Sequence, residues 1–147
     1  MLKSVPEGES VSAAIAVLVM QNNQLLLGKR VQPSEPECWQ CPGGFILKGE
    51  TLTTAADRIC RQKAGIKIDA LVQGPFTNNR FVQNNIISQH TVSLYLIAHK
   101  YKVVDNIKYE NKQTCWSWHD FDSLPVPLFM PLETLLKKYD LNHLLMY

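Results

Sequence analysis

The sequence predicts an α+β fold, in which a mixed β-sheet lies between helices as an α/β/α sandwich. Three observations indicate this class: apolar runs typical of strands fill both halves of the chain, one central stretch has helical periodicity, and a second helical stretch lies near the end. The chain has 147 residues, of which 46% are hydrophobic and 19% are charged. Because this is the size and composition of one packed domain, we expect residues 1–147 to form a single domain.

Two apolar runs, VSAAIAVLVM and QLLLGKR, predict the N-terminal strands, with residues 21–23 between them. A short polar segment between two such runs is typical of a hairpin turn. The following segment, VQPSEPE, contains two prolines, which cannot donate hydrogen bonds to a strand ladder. We therefore expect residues 31–37 to form an exposed loop that borders a pocket.

The central helix is predicted to start near Thr51, because apolar residues recur from there at helical spacing. Threonines are available to cap its start, and Gly65 is placed to end it. Further strands are predicted from the runs IKIDALV, FTNNRF, HTVSLYLIA and TCWSWHD. The run MPLETLLKKY predicts a closing helix, with Leu132, Leu135 and Leu136 on one stripe.

Charge and hydropathy exclude several classes of partner. The net charge is +2 and no run of Lys or Arg is longer than two residues, so we expect no nucleic acid duplex as a partner. The longest apolar run, residues 13–20, is far shorter than the ~20 residues of a membrane helix, and the start of the chain lacks a secretory signal. We therefore expect a cytoplasmic protein with no membrane partner.

The four cysteines include a C-x-x-C pair, Cys38 and Cys41. A zinc ribbon requires a second close pair, and a thioredoxin-like pair opens a helix instead of leading into Pro42. We interpret Cys41 as a buried apolar position of a strand and Cys38 as a loop residue. Free thiols also fit a reducing compartment.

A Gly-Gly turn, Gly43 and Gly44, precedes Glu50, Arg58 and Gly65. Glycines permit unusual torsions and let main-chain groups approach a phosphate or a metal closely. The spacing from Gly44 to Gly65 resembles the Nudix box, and LLLGKR, WQCPGG and CWSWHDFDSLP resemble other parts of the Nudix hydrolase family. Two branches are most similar: the GDP-mannose mannosyl hydrolases, and the nucleotide diphosphatases that include the thiopurine triphosphate hydrolase.

The resemblance implies the Nudix fold and hydrolysis of a nucleoside di- or triphosphate or a nucleoside-diphosphate sugar, with Mg²⁺ as the family's metal. The three glutamates of the family's box fall on Ile59, Gln62 and Lys63, so this helix face has no acid. Magnesium prefers oxygen ligands, commonly carboxylates, and an ammonium repels it. We therefore expect no ordinary metal site, and weak or altered activity.

Two residues are candidates for catalysis. Glu50 could act as a base, or it could pair with Arg58 and brace the loop against the helix, in which case Arg58 and Gly65 are structural residues of the box. His90 is the preferred histidine for the cleft, with an exposed turn position as the alternative. The residues predicted to bind phosphate or substrate are Arg30, Gly43, Gly44, Lys48, Arg61 and Lys63.

Three functions remain open at this stage. The first is an enzyme in which basic side chains partly replace the metal, the second a nucleotide-binding protein without turnover, and the third a protein-interaction module on a Nudix scaffold. A homodimer is plausible from the family resemblance.

Overall fold

The computed structural model describes residues 10–33, 35–104 and 115–147, which form a seven-stranded mixed sheet between helices. The strands are β1 (Ser12–Gln21), β2 (Gln24–Arg30), β3 (Cys38–Gln40), β4 (Gly43–Phe45), β5 (Ile66–Gln83), β6 (Ile86–Val103) and β7 (Trp116–Asp120). The helices are α1 (Leu52–Ala64), α2 (Met130–Lys138) and α3 (Leu141–Leu144). The strand order is β3-β2-β1-β6-β5, with β4 beside β1 and β7 beside β2. Only the β1–β6 pairing among the described strands is parallel, which makes the sheet mixed.

The central strand β1 separates two cores. Ile15, Val17 and Val19 pack in the core that contains α1, whereas Leu18 and Met20 pack in the core that contains α2 and α3. Successive side chains of a strand point to opposite faces, so one apolar strand contributes to both layers. The predicted α/β/α sandwich is confirmed.

Helix α1 has the predicted boundaries and caps. The Thr51 hydroxyl accepts a hydrogen bond from the Thr54 N–H at 3.0 Å, and Gly65 ends the helix with φ 65°, in the left-handed region that favours glycine. The buried face consists of Ala55, Ala56, Ile59 and Cys60. The position of this helix is therefore fixed against one face of the sheet.

The two long strands differ from the sequence prediction. IKIDALV and FTNNRF were predicted as separate strands, but both belong to β5, because an irregularity between Gln73 and Phe76 bends the strand without ending it. The segment VQNNIISQ lies between the runs FTNNRF and HTVSLYLIA, and in it Asn84 and Asn85 form a two-residue turn with φ of 52° and 63°. Asparagine tolerates this left-handed region, so β5 and β6 continue up to the turn as one hairpin.

The turn at Asn22 and Asn23 has the same geometry, with φ of 50° and 58°, and confirms the predicted N-terminal hairpin. The closing helix α2 is also confirmed, with Leu132 and Leu135 buried. None of the helices within the described ranges is long and apolar enough to span a bilayer.

The C-x-x-C pair was assigned to the wrong elements. Cys38 begins β3 and is partly buried, whereas Cys41 follows that strand and is buried in the core beside α2. Burial raises the pKa of the Cys41 thiol well above its ordinary value, so the thiol stays protonated. Cys41 is therefore an apolar packing position, although it does not lie in a strand.

Candidate functional site

A cleft of about 900 Å³ lies on the side of the sheet that carries α2. Strands β4, β1 and β6 line it, together with the loop after β2, the segment 127–132 and the C-terminal half of α1. This volume lies within the range of cofactor and small-ligand pockets, ~300–1,000 Å³. The predicted role of residues 31–37 as the border of a pocket is supported, because Glu35 and Glu37 line the cleft.

Paired residues across the strands form the floor of the cleft. Phe45 of β4, Ala14 of β1, Ser93 of β6 and Thr77 of β5 are successive partners across the sheet. Because Ala14 is small, the sheet between β4 and β6 is not covered by its side chain. Neighbouring strands lie ~4.8 Å apart, so about 10 Å separates the backbones of β4 and β6.

Gly43 and Gly44, predicted as a turn, lie in strand β4, where they are required for close packing. A methyl group added at Gly44 would lie 3.4 Å from Ile59 Cδ1 and 3.6 Å from Lys63 Nζ, and one at Gly43 would lie 3.0 Å from the Ile15 carbonyl oxygen. Neither glycine has a positive φ. Of the two properties expected of this pair, close approach is observed and unusual torsion is not.

Lys63 connects α1 to β4. Its ammonium donates a hydrogen bond of 2.6 Å to the carbonyl oxygen of Gly43, and both residues line the cleft. A charged donor strengthens such a bond. A fixed positive charge therefore lies at the edge of the cleft.

Glu50 and Arg58 form the brace that the sequence offered as one of two roles for Glu50. Arg58 Nε lies 2.7 Å from Glu50 Oε2 and Nη2 lies 2.9 Å from Oε1, while Nη2 also donates to the Phe45 carbonyl oxygen at 2.9 Å. The Leu47 N–H donates to Glu50 Oε1 at 2.8 Å. The hydrogen bonds from Arg58 and Leu47 lower the pKa of Glu50. Because Glu50 does not line the cleft and its anion is stabilised, it is poorly suited to be a catalytic base.

The residues at the three box positions do not fit a magnesium ion. Ile59 is 1% exposed and packs in the core beneath Gly44, so position 59 provides an apolar side chain with no atom that could bind a metal ion. The amide oxygen of Gln62 accepts from Arg58 Nη1 at 3.4 Å, and Lys63 is a cation. Hard divalent cations require several oxygen ligands, usually with carboxylates among them. No cluster of three or more His, Cys, Asp or Glu side chains suited to a metal occurs within residues 10–33, 35–104 and 115–147.

Arg30 lies in the cleft, as its predicted role requires. Its Nη1 donates to Gln40 Oε1 at 3.3 Å, and Nε lies 3.4 Å from Glu35 Oε2. The guanidinium carbon is 4.5 Å from the centroid of the Phe129 ring, which also lines the cleft. These contacts hold a second positive charge toward the cleft.

Two of the predicted phosphate-binding residues lie elsewhere. Lys48 is exposed outside the cleft, and Arg61 pairs with Asp57 at 2.8 Å on the helix surface. Residues three and four positions apart share a helix face, and Arg61 is turned away from the face that Ile59, Gln62 and Lys63 present. Of the six predicted residues, the structure brings four to the cleft: Arg30, Gly43, Gly44 and Lys63.

His90 is also outside the cleft, so its expected place there is wrong. Its neighbours Gln89 and Thr91 line the cleft, and strand alternation directs His90 to the opposite face. There His90 Nε2 contacts Asn78 Oδ1 at 2.5 Å.

Sequence reasoning missed a buried polar cluster. Asn79 is 0% exposed, and its Nδ2 donates to Thr91 Oγ1 at 3.1 Å and to Ser93 Oγ at 2.9 Å. Thr91 and Ser93 line the cleft. In the sequence this cluster is visible as an alternation of polar residues in both strands. Such alternation ordinarily indicates a strand face exposed to solvent, and it therefore does not indicate a buried cluster.

These features define an α/β/α sandwich protein with a ligand-sized cleft beside the glycine pair of β4 and a braced helix. A model of the NUDIX domain matches residues 10–139. The chain therefore belongs to the Nudix family, as the sequence predicted, whereas the two predicted branches stay predictions.

Solved structures share this fold. The MutT Nudix hydrolase from Burkholderia pseudomallei is similar with a TM-score of 0.76 and 21% identity, over 88% of this chain and 98% of that one. A MutT protein from Bacillus halodurans gives 0.70 and 16%, over 88% and 84% of the two chains. An ADP compounds hydrolase gives 0.62 and 13%, over 92% of this chain and 66% of that chain. At these identities the likeness establishes the fold alone.

Proposed function

We propose that the cleft binds a nucleoside di- or triphosphate, or a nucleoside-diphosphate sugar, and that the protein hydrolyses it slowly without a carboxylate-bound metal. The observation that carries this proposal is the contact between Lys63 Nζ and the Gly43 carbonyl oxygen. It supports a phosphate site beside β4, where a fixed cation takes the place of acids.

The charges of the cleft favour an anionic ligand. The cationic residues Arg30, Arg58 and Lys63 line it against two acidic ones, Glu35 and Glu37. The excess of positive charge attracts a diphosphate, and low-dielectric walls strengthen that attraction.

Slow turnover follows from the same residues. Cleavage of a phosphoanhydride depends on positioning and on neutralising the charge that develops on the phosphate oxygens. The ammonium of Lys63 supplies one such charge, which is less than a divalent ion provides. Water attack also lacks help from Glu50, whose carboxylate is bound by Arg58 and Leu47. We expect rates several powers of ten below those of a metal-assisted hydrolase.

Binding without turnover is the second candidate. The engagement of both Glu50 oxygens favours it, because the Glu50 carboxylate is then not held ready to accept a proton from water. The two candidates share the ligand and differ only in product formation.

A nucleotide panel, assayed for product and for thermal stabilisation in magnesium and in EDTA, tests the proposal. Stabilisation and slow product release in EDTA would support it, since a ligand that binds the native state raises its apparent stability. Stabilisation without product would select the second candidate, and neither effect would indicate an interaction module. Lys63→Met should weaken nucleotide binding about tenfold or more, while Lys100→Met, an exposed lysine outside the cleft, should leave it unchanged.

A further inference from the structure

A polar cluster lies beneath one end of the cleft, away from Gly43 and Gly44 of β4. Thr77, Asn79, Thr91 and Ser93 are between 0% and 6% exposed and occupy adjacent positions on β5 and β6. Thr77 is paired with Ser93, and Asn79 with Thr91. Thr91 and Ser93 reach the cleft, whereas Thr77 and Asn79 lie behind them.

The hydrogen bonds of this cluster have a direction. Asn79 Nδ2 uses its two protons as donors, one to Thr91 Oγ1 and one to Ser93 Oγ. A hydroxyl that accepts a bond still has its own O–H proton to donate. Within the described ranges neither hydroxyl donates to a protein acceptor. Both can therefore donate into the cleft.

Packing alone does not explain the cluster. Asn79 is completely buried, and its Oδ1 atom has no hydrogen-bond partner among the described residues. A buried unsatisfied carbonyl is destabilising, and an apolar side chain would fill the same space without that penalty. Such an arrangement is best explained by what it does for Thr91 and Ser93, which is to fix both hydroxyls as donors.

The cluster lies at a suitable distance from the proposed phosphate site. Ser93 and Phe45 are separated by Ala14 alone in the row across the sheet, so about 10 Å lies between the β4 and β6 backbones. A nucleotide with its phosphates beside β4 can extend across Ala14 and place its base over β6.

We propose that Thr91 and Ser93 form a donor pair that recognises hydrogen-bond acceptors on the edge of a nucleobase, such as carbonyl oxygens and ring nitrogens. Asn79 is a positioning residue that orients the pair. This inference rests on the proposed function, because it assumes a ligand whose phosphate end lies beside Gly43 and Gly44.

Calorimetric titration with UDP, GDP, pyrophosphate and 5-phosphoribosyl 1-diphosphate tests this inference. Thr91→Val and Ser93→Ala should each weaken UDP or GDP binding about tenfold, and leave the two base-free ligands unchanged. Thr77→Val is the matched control, since Thr77 is as buried as Thr91 but does not line the cleft. This control should bind all four ligands like the parent.

The outcomes separate this inference from the proposed function. If base-free ligands and nucleotides bind but neither hydroxyl variant affects the nucleotides, the donor pair is refuted and the phosphate site stands. If the variants weaken 5-phosphoribosyl 1-diphosphate as much as UDP, base recognition is refuted. If no ligand binds the parent protein, the proposed function fails first. Asn79→Ala should lower UDP affinity but not pyrophosphate affinity, a difference that general loss of stability would not produce.

Discussion

The ammonium of Lys63 donates to the carbonyl oxygen of Gly43 at 2.6 Å, although the two residues are 20 positions apart in the chain. This bond joins the last turn of α1 to β4 at the edge of the cleft. It fixes a cation of the protein beside the proposed phosphate site.

Reversing this charge is the most direct test of the cation's role. Lys63→Glu should weaken nucleotide binding in EDTA by about tenfold or more, because a carboxylate repels phosphate and cannot donate to Gly43. Added magnesium should restore part of the affinity, since the new carboxylate is a suitable ligand. Titration in EDTA and in magnesium measures both effects. Equal affinity of parent and variant in EDTA would contradict a role for Lys63 in binding.

Restoring a carboxylate at position 59 should be harmful. Ile59→Glu places an ionisable group at a site that is 1% exposed and packed beneath Gly44, which we expect to destabilise the fold by about 2–5 kcal/mol. Gln62→Glu, at a partly buried site near Arg58, should change stability little. Urea unfolding of both variants checks this difference. Attempts to rebuild the metal site should therefore begin with positions 62 and 63, and a stable Ile59→Glu variant would show that the site accommodates charge.

The Glu50–Arg58 pair predicts a pH-dependent contribution to stability. Because the folded state lowers the pKa of Glu50, its stabilising effect is present above the unfolded pKa of ~4.3 and is lost as pH falls through the lower folded value. The free energy of unfolding of the parent should thus exceed that of Glu50→Gln at pH 7, and the difference should shrink at pH 3. Chemical denaturation at the two pH values measures this. A difference that grows on acidification would contradict the brace.

Thiol reactivity should follow burial. Cys115 is exposed and should react first with a thiol reagent in the native protein, followed by the partly buried Cys38. Burial raises the pKa of Cys60 to about 12 and raises that of Cys41 as well, so both should react only on unfolding. Counting modified thiols by mass spectrometry, with and without denaturant, checks the order. Rapid native labelling of Cys41 would show that the core beside α2 opens.

Much of the fold was predictable because it depends on local patterns. Thr51 and Gly65 delimit α1 through capping preferences that operate within a few residues. The hairpin turn at Asn22 and Asn23 follows from the same kind of local preference. The second turn, at Asn84 and Asn85, was missed because polar residues on both sides of it concealed two strands that are held by partners distant in sequence.

The site was predicted less completely. The resemblance to the Nudix motifs predicted Gly43, Gly44 and Lys63 as phosphate-binding residues, and all three line the cleft. His90 was assigned to the wrong face of the sheet. Successive residues of a strand point to opposite faces, and the polar residues around His90 do not indicate which face is buried.

The sequence by itself determined the framework: a closely packed glycine pair, a capped helix and a helix face without acids. Only the tertiary structure decided which residues interact across the chain. Lys63 donates a hydrogen bond to Gly43, and Arg58 donates to the Glu50 carboxylate. Asn79 donates to the hydroxyls of Thr91 and Ser93. The physical reason is distance along the chain. Helix propensity and capping act between near neighbours, whereas strand register and the charges facing a cleft depend on which remote segments pack together.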